Sequence, residues 1–474
     1  MFDRLDAALG DGLERAMVRH HVRRLRRQGR LHALMPASPG LWATTAPPPR
    51  EGNALDVLID GASALPEMAD AIRDAKRHVH VCSWHLQPDF RPTRGGAEWP
   101  VRELLADAAE RVPVRVLVWA GAPLPVFKPG RGAVEAGREQ LVKGTKIRCL
   151  LDSRGRMMHC HHEKIVIVDD ELAFVGGIDL TALAGDRYDW SEHPLKEGIG
   201  WHDASSKLRG PLVRDVAAHF AMRWEAIAGE ALPLPEDLAP AGDVTAQLVR
   251  TVPERAYPVL PHGEFSTLEA YMRALRSAQR LIYLENQFLW SPEIVDVLER
   301  KLREPPSDDF RLVVLLPHKA NNGQDDTRGM LGRLVAADRH DRFLAATIHA
   351  RTGERSGPVY VHAKIGIVDD AWLAVGSANL NEHSLFNDTE VDVVTCDERL
   401  ARETRLRLWS EHLERDADGD PARVIDELWR PIAFEQLERR RRGEPLTHHL
   451  AQLPGVSKRS RRLLGPLDAL VVDG

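Results

Sequence analysis

Two histidine–lysine pairs are the residues of this chain best suited to chemistry. They are His162-x-Lys164 and His362-x-Lys364, and an apolar run follows each pair. Side chains two residues apart on an extended strand point to the same face, so each imidazole shares a face with an ammonium group. An imidazole can attack phosphorus or transfer a proton while a fixed cation holds anionic oxygens. The pattern therefore predicts a site for phosphate chemistry, provided that the two strands meet.

An aspartate follows each pair at the same spacing. Asp169 and Asp369 lie seven residues beyond their histidines, and glycines stand 14 residues beyond the histidines in both copies. The odd offset places each aspartate on the opposite face of the strand, so we include it in the catalytic set as support and not as a proton donor. One such motif is weak evidence, but two copies within a longer repeat disfavour a purely structural explanation.

Three more candidate ligands, His159, Cys160 and His161, come directly before the first motif. Strand alternation divides these side chains between two faces, and a metal centre needs ligands that converge. The sequence offers no second cluster that would complete such a site. We therefore predict no metal and no other cofactor.

The elements that must position the two pairs also occur twice. A helix pattern followed by an apolar strand at 71–84 recurs at 274–287 in constant register, which indicates internal duplication. Short strands rich in Val, Ile and Leu alternate with helix patterns in both halves. We predict an α/β fold of two fused repeats, each with a mixed, mostly buried β-sheet flanked by helices. A pseudo-twofold relation would give them one shared active site.

The length of 474 residues suits two fused halves with short extensions. We place an N-terminal basic helical extension and linker at 1–50, the first repeat at 51–235, the second repeat at 236–430 and a C-terminal basic tail at 431–474. Six arginines fall within 13–27. That segment suits either an anionic membrane surface or a helix packed on the protein by a thin apolar stripe, and we favour the packed helix.

The composition is that of a globular protein with a small negative charge. Charged residues make up 28% of the chain and the formal net charge is −6, so there is no overall attraction to nucleic acid. The four cysteines lack paired spacing and indicate buried thiols of a reducing compartment. We find neither a secretion signal nor a run of about 20 apolar residues. We expect a cytoplasmic protein, with peripheral contact at the inner face of the membrane as an open alternative.

These motifs resemble the paired H-x-K-x4-D motifs of the phospholipase D superfamily. The resemblance continues in Gly-Gly-Ile-Asp-Leu at 176–180, Arg-Tyr-Asp at 187–189 and Trp-His-Asp at 201–203 of the first half, and in 282–288 and 376–380 of the second. It extends from around Gly52 to around Trp429. The motifs at these positions are specific to phospholipid-cleaving members.

The resemblance implies a single site on a pseudo-twofold axis, a covalent phosphohistidine intermediate and no metal requirement. It makes His162 the nucleophile and His362 the general acid that protonates the leaving alcohol. Lys164 and Lys364 would hold the phosphoryl oxygens. The remaining positions expected to contact phosphate are Ser377, Asn379, Gly177 and Asp179.

Two of those positions depart from the family pattern, and two acids complete the set. Gly177 and Asp179 stand where members commonly have Ser and Asn, which leaves their part in phosphate binding open. Glu390 matches the orienting acid for the second-half histidine. Asp203 is our choice for the first half, and a surface salt bridge is its alternative.

The lipid-type motifs favour phosphodiester hydrolysis or phosphatidyl transfer on glycerophospholipids, with cardiolipin synthesis as one form of it. The substrate is then a phospholipid, and no nucleic acid is expected. A nuclease of the same superfamily and an inactive scaffold are the alternatives. The choice between hydrolysis and transfer, the head group and the oligomeric state stay open.

Overall fold

The computed structural model describes residues 2–95, 98–123, 128–154, 159–236, 238–320 and 324–456. Two helices precede the first repeat, α1 (Phe2–Arg27) and α2 (Leu31–Leu34). The elements of the first repeat are β1 (Arg50–Ile59), α3 (Gly61–Arg73), β2 (Val79–Ser83), α4 (Val101–Arg111), β3 (Val114–Trp119), α5 (Arg131–Val142), β4 (Arg148–Asp152), β5 (Lys164–Val168), β6 (Leu172–Gly176), β7 (Trp201–His202), β8 (Ala204–Arg209) and α6 (Val213–Ala228).

The second repeat follows a similar sequence of elements. These are β9 (Val244–Val252), β10 (Glu264–Phe265), α7 (Ser266–Ser277), β11 (Leu281–Glu285), α8 (Pro292–Arg303), β12 (Arg311–Leu315), α9 (Gln324–Ala337), β13 (Phe343–Thr352), β14 (Arg355–Pro358), β15 (Tyr360–Val361), β16 (Ile365–Val368), β17 (Trp372–Gly376), a π-helical turn (His383–Asn387), β18 (Glu390–Thr395), α10 (Glu398–Leu413), α11 (Pro421–Val424), a second π-helical turn (Ile425–Trp429), α12 (Arg430–Arg442) and β19 (Leu450–Gln452).

Each repeat contains a mixed sheet with the same strand order. The first sheet runs β4-β3-β2-β5-β6-β8-β1, and β2, β3 and β4 are parallel. The second sheet runs β13-β12-β11-β16-β17-β18-β9, with β11, β12 and β13 parallel. Strands β1 and β9 pair with each other and join the two sheets. The predicted α/β fold of two mixed, mostly buried sheets is thus confirmed.

The motif strands are buried on both faces, which explains their continuous apolar runs. In β5, Ile165 and Ile167 belong to a central core that contains residues of both sheets together with α6 and α10. Val166 and Val168 point the other way, into a second core shared with α3, α4 and α5. Alternation on one strand therefore fills two cores at once.

The repeats also contact each other where the two motif strands begin. The short strand β7 of the first repeat pairs in parallel with β15 of the second, so that His202 lies opposite Val361. A parallel bridge joins His161 to Thr389 in the reciprocal position. These two contacts form the frame of the site.

Helix α1 packs on the second repeat, and it does so through polar as well as apolar contacts. Leu25 is buried, and His21 Nδ1 lies 2.6 Å from Glu293. Arg24 donates hydrogen bonds to Glu254 and to Asn387. In the described parts of the chain, no helix is both long enough and apolar enough to cross a bilayer.

The expected C-terminal basic tail at 431–474 is wrong for its first part. Helix α12 packs on the second repeat with Ala433 and Leu437 buried, and β19 pairs with β13. Local composition suggested a solvated tail because α12 ends in four arginines, whereas Ala433 and Leu437 face the core. Residues 457–474 lie outside the described residues.

Candidate active site

The two motif histidines meet at the interface of the repeats. The ring centroids of His162 and His362 lie 6.3 Å apart, and both side chains are buried. The His162 N–H donates to the Thr389 carbonyl at 2.9 Å, and the His362 N–H donates to the His202 carbonyl at 2.8 Å. Backbone hydrogen bonds from each repeat to the other therefore fix both imidazoles. The strands do converge as the sequence pattern required.

Each imidazole is held at Nδ1 by a buried carboxylate from the other repeat. Glu390 lies 3.1 and 3.2 Å from His162 Nδ1, and Asp203 lies 2.7 Å from His362 Nδ1. The sequence had assigned each acid to the histidine of its own half, and that pairing is wrong. The surface salt bridge considered for Asp203 is wrong as well, because its side chain is buried.

The exchange of acids follows from the register of the sheets. Gly176 pairs with Ser205 in the first sheet, and Gly376 pairs with Asp392 in the second. Asp203 and Glu390 each stand two residues before those partners, so they are equivalent positions. The residue before each acid pairs with the residue before the opposite histidine. Each acid therefore lies beside the imidazole of the other repeat.

Backbone and hydroxyl groups define how His162 is held. Its Nδ1 also lies 3.1 Å from the carbonyl oxygen of Ser377, which can only accept. Nδ1 must then carry the hydrogen, and Nε2 is left with a lone pair. Glu390 in turn accepts from the hydroxyls of Ser377 and Ser384, each at 2.5 Å. Burial raises the pKa of Glu390 well above its usual value.

The first repeat has no room for an equivalent hydroxyl. A Cβ at Gly177 would stand 2.1 Å from Asp203 Oδ1. Gly177 therefore makes space for the carboxylate of Asp203. Any contact between Gly177 and a phosphate would have to come from its backbone. Burial raises the pKa of Asp203 to about 6.

The two motif lysines lie beside the histidines with which the sequence grouped them. Lys164 Nζ donates to the His162 carbonyl at 2.5 Å, and Lys364 Nζ donates to the His362 carbonyl at 2.6 Å. Burial lowers the pKa of Lys164. Burial also lowers the pKa of His362 well below its usual value, and the charges of Lys364 and Arg187 add to this effect. Three cationic side chains, Lys364, Arg187 and Lys164, therefore lie near the His362 imidazole.

Asp179 and Asn379 occupy equivalent positions but differ in what they contact. Asp179 accepts hydrogen bonds from the Ser83 hydroxyl and from the His85 N–H. Its carboxylate lies near Lys164, and a negative charge there would repel a phosphate. The phosphate contact expected of Asp179 stays a prediction. Asn379 Nδ2 donates to Gln287 Oε1 at 3.4 Å, and Gln287 also accepts from Lys364. Asn379 thus shares a hydrogen-bond acceptor with Lys364, and its contact with phosphate stays a prediction.

The motif aspartates lie away from the imidazoles, at the far ends of their strands. Asp169 accepts from the backbone N–H groups of 76–78. Asp369 accepts from those of 279–281. Five residues of extended strand, about 16 Å, separate such a position from the imidazole end. They fix the connection between a helix and the next strand, so the support that the sequence predicted for them does not reach the imidazoles directly.

Arg187 is a further candidate site residue, which the sequence analysis did not select. It is buried, its guanidinium carbon lies 3.2 Å from the centroid of the Trp201 ring, and burial lowers its pKa to about 10. Its Nε and Nη1 atoms have no hydrogen-bond partner among the described residues. The available signal was the Arg-Tyr-Asp segment, to which we gave no role. An anion in the site would supply the partner that these donors lack.

Comparisons with known proteins match both halves. A family model described as "Phospholipase D" matches residues 71–200, and one described as "Cardiolipin synthase, PLD-like domain" matches residues 271–410. The chain is 26% identical over 469 residues to "Phospholipase D A" of Dictyostelium discoideum, with 77% of this chain and 36% of that protein covered. It is 25% identical over 574 residues to "Phospholipase D alpha 1" of Cynara cardunculus, with 83% and 70% covered.

A solved phosphatidylserine synthase of Haemophilus influenzae Rd KW20 superposes with a TM-score of 0.49 at 11% identity, covering 75% of this chain and 85% of that one. The chain thus spans little more than a third of the amoebal relative and most of the plant relative. Because the two family models fall one in each repeat, the match includes both halves of the site. This chain belongs to the phospholipase D superfamily.

Proposed function

We propose that this chain is a phosphodiesterase or phosphatidyltransferase that acts on phospholipids. The observation that carries the proposal is the 6.3 Å separation of the His162 and His362 rings, each with a carboxylate at Nδ1. A carboxylate at one ring nitrogen leaves the other nitrogen to react. One phosphorus atom between the two imidazoles would have a nucleophile on one side and an acid on the other.

The first step is the displacement of an alcohol from phosphorus. The lone pair of His162 Nε2 attacks, the bond from phosphorus to the leaving oxygen breaks, and His362 gives its Nε2 proton to that oxygen. Lys164 and Lys364 offset the charge on the non-bridging oxygens. The product is a phosphohistidine at His162, whose positive imidazole ring is stabilised by the carboxylate of Glu390.

In the second step His362 acts as a base, and an incoming oxygen takes the place that the leaving oxygen occupied. His362 removes a proton from water or from an acceptor alcohol, whose oxygen attacks the phosphohistidine. The phosphorus–nitrogen bond breaks and the electron pair returns to His162 Nε2. Water gives hydrolysis and an alcohol gives transfer, so one site supports both outcomes.

The assignment of roles is supported by the hydrogen bonds and charges in the site. The Ser377 carbonyl keeps the hydrogen of His162 on Nδ1, so that Nε2 is the nucleophilic atom. His362 must carry a proton to act as the acid, although burial and neighbouring cations lower its pKa. A bound phosphodiester brings a negative charge among those cations, which raises the pKa of His362 at the time when the proton is needed.

A phospholipid substrate is supported by the names of the relatives, which are phospholipases D. Phosphatidyl transfer between two phosphatidylglycerols, which makes cardiolipin, is the finer proposal. It is supported by the description of the model that matches 271–410. The acceptor alcohol would then be the glycerol head group of a second lipid.

The test is a product analysis with phosphorus-labelled phospholipids and labelled single-stranded DNA. We expect turnover of lipid by the full chain, none by His162→Ala or His362→Ala, and normal turnover by His340→Ala, which changes an exposed histidine. A label trapped on His162 supports the assigned roles, whereas a label on His362 exchanges them. Cleavage of DNA with inert lipids would overturn the lipid proposal.

A further inference from the structure

A cluster of metal-ligand type lies beside the reacting pair. His159 Nδ1 is 3.0 Å from His383 Nδ1 and 3.5 Å from Asp388 Oδ1. One ligand atom from each of the three residues lies within 4.8 Å of the others. The sequence argument against a metal missed this cluster, because two of the three residues come from the other repeat and join His159 only in the fold.

The spacing of these atoms fits a tetrahedral ion. Zinc bonds of about 2.0–2.1 Å place neighbouring ligand atoms about 3.4 Å apart. The two measured distances, 3.0 and 3.5 Å, lie on either side of that value. His159 is the outermost ligand, with 17% of its side chain exposed. An ion could therefore enter from solvent and keep a fourth position for water.

The buried carboxylate supplies an independent sign of a missing partner. Asp388 is fully buried, and its Oδ1 accepts from the Cys160 N–H at 2.8 Å. Its Oδ2 has no hydrogen-bond partner within the described parts of the chain. A buried carboxylate oxygen without a partner is costly. A cation bound through both oxygens of Asp388, the Oδ1 that lies 3.5 Å from His159 and the unpartnered Oδ2, would remove that cost.

The two imidazoles have a geometry that a metal ion could use. Both present Nδ1 to the shared space, and without an ion one neutral ring donates to the other at 3.0 Å. A metal ion uses the lone pairs of both. His383 belongs to the π-helical turn His383–Asn387, a local geometry that is frequent at functional sites. The edge of Trp290 packs on His383 and holds the ring in place.

We propose that His159, His383 and Asp388 bind one divalent transition-metal ion, with zinc as the best fit. The ion joins the segment that leads to His162 with the segment that leads to Glu390. It holds His162 and Glu390 in place relative to each other and takes no part in bond making. The proposal does not depend on the identity of the substrate.

Metal-free full chain titrated with Co²⁺ tests this directly, because tetrahedral Co²⁺ has an intense visible spectrum. We expect one equivalent to bind, competition by Zn²⁺, and a higher Tm with either ion. His159→Gln and Asp388→Asn should each weaken Co²⁺ binding by more than about 10-fold. Loss of a group that only supports a metal ligand already weakens binding by about that factor.

The matched control is His78→Ala, which removes a member of another histidine–aspartate group, formed by His78, His80 and Asp170. This variant should bind Co²⁺ as the unchanged chain does. His159 is partly exposed, so His159→Gln is expected to fold, and its Tm without metal checks this. No binding by the unchanged chain, or binding that His159→Gln leaves unchanged, whether or not His78→Ala loses it, would overturn the proposal.

Discussion

Glu390 lies 3.1 Å from Nδ1 of His162, although the two residues belong to different repeats. Asp203 and His362 form the reciprocal pair at 2.7 Å. Neither motif histidine therefore has its carboxylate partner in its own repeat. The duplication produces a site only when both halves are folded against each other.

Replacement of Glu390 by Gln should slow the chemical step. The amide cannot offset the positive charge of a phosphohistidine, so we expect kcat to fall about 10²–10⁴-fold with little change in KM. Steady-state kinetics measure this, and Glu67→Gln on the surface is the matched control. An unchanged kcat in Glu390→Gln would contradict the orienting role.

The Asp203 carboxyl should contribute an acid limb to the pH profile, in addition to any limb from Glu390, whose pKa burial also raises. Burial raises its pKa to about 6, and only the ionised form can hold His362 as an imidazolium. Activity is therefore present above this pKa and lost as the pH falls through about 6. The profile of kcat/KM from pH 4 to pH 8, on the order of two units either side of that value, shows the limb. Asp203→Asn should have a low kcat/KM at every pH and should lack the limb near pH 6. If the variant keeps that limb, the limb belongs to another group.

Gly177→Ser should be harmful even though Ser stands at the equivalent position 377. The new Cβ would meet Asp203 Oδ1 at 2.1 Å, which displaces the acid from His362. We expect kcat/KM to fall more than about 10-fold, as for other losses of a group that orients the reacting residue. Gly198→Ser serves as the control, because a Cβ at Gly198 meets nothing within 4 Å. Full activity in Gly177→Ser would show that the acid can move without consequence.

Asp169→Ala should affect stability more than catalysis. The change leaves the backbone N–H groups of 76–78 without their acceptor, which costs about 1–3 kcal/mol of unfolding free energy. Urea denaturation measures the loss of unfolding free energy. At urea concentrations below the unfolding transition, kcat of the variant should stay within about twofold of that of the unchanged chain. A large loss of kcat in a fully folded variant would return Asp169 to the catalytic set.

Much of the fold could be predicted because it depends on local patterns. Continuous apolar strands after each motif indicated buried sheets, and the repeated helix and strand at 71–84 and 274–287 indicated two halves. The convergence of His162 and His362 followed from the duplication itself. These features need only the period of a strand and the register of a repeat.

Other features depend on contacts between the halves and could not be predicted from local sequence. The acids exchange partners because His161 bridges Thr389 and His202 lies opposite Val361, which no spacing within one half reveals. Arg187 reaches the site only through its position over Trp201. Helix α12 looked solvated because its arginines outnumber its apolar residues.

The central claim is that one phosphorus atom is held between two imidazoles from different repeats, and a crystal structure with bound vanadate tests it most directly. We predict vanadium bonded to Nε2 of His162 and an oxygen of the same anion within about 2.6–3.2 Å of Nε2 of His362. An anion that contacts one of these histidines while the other points away, or that binds outside the space between them, would contradict the account.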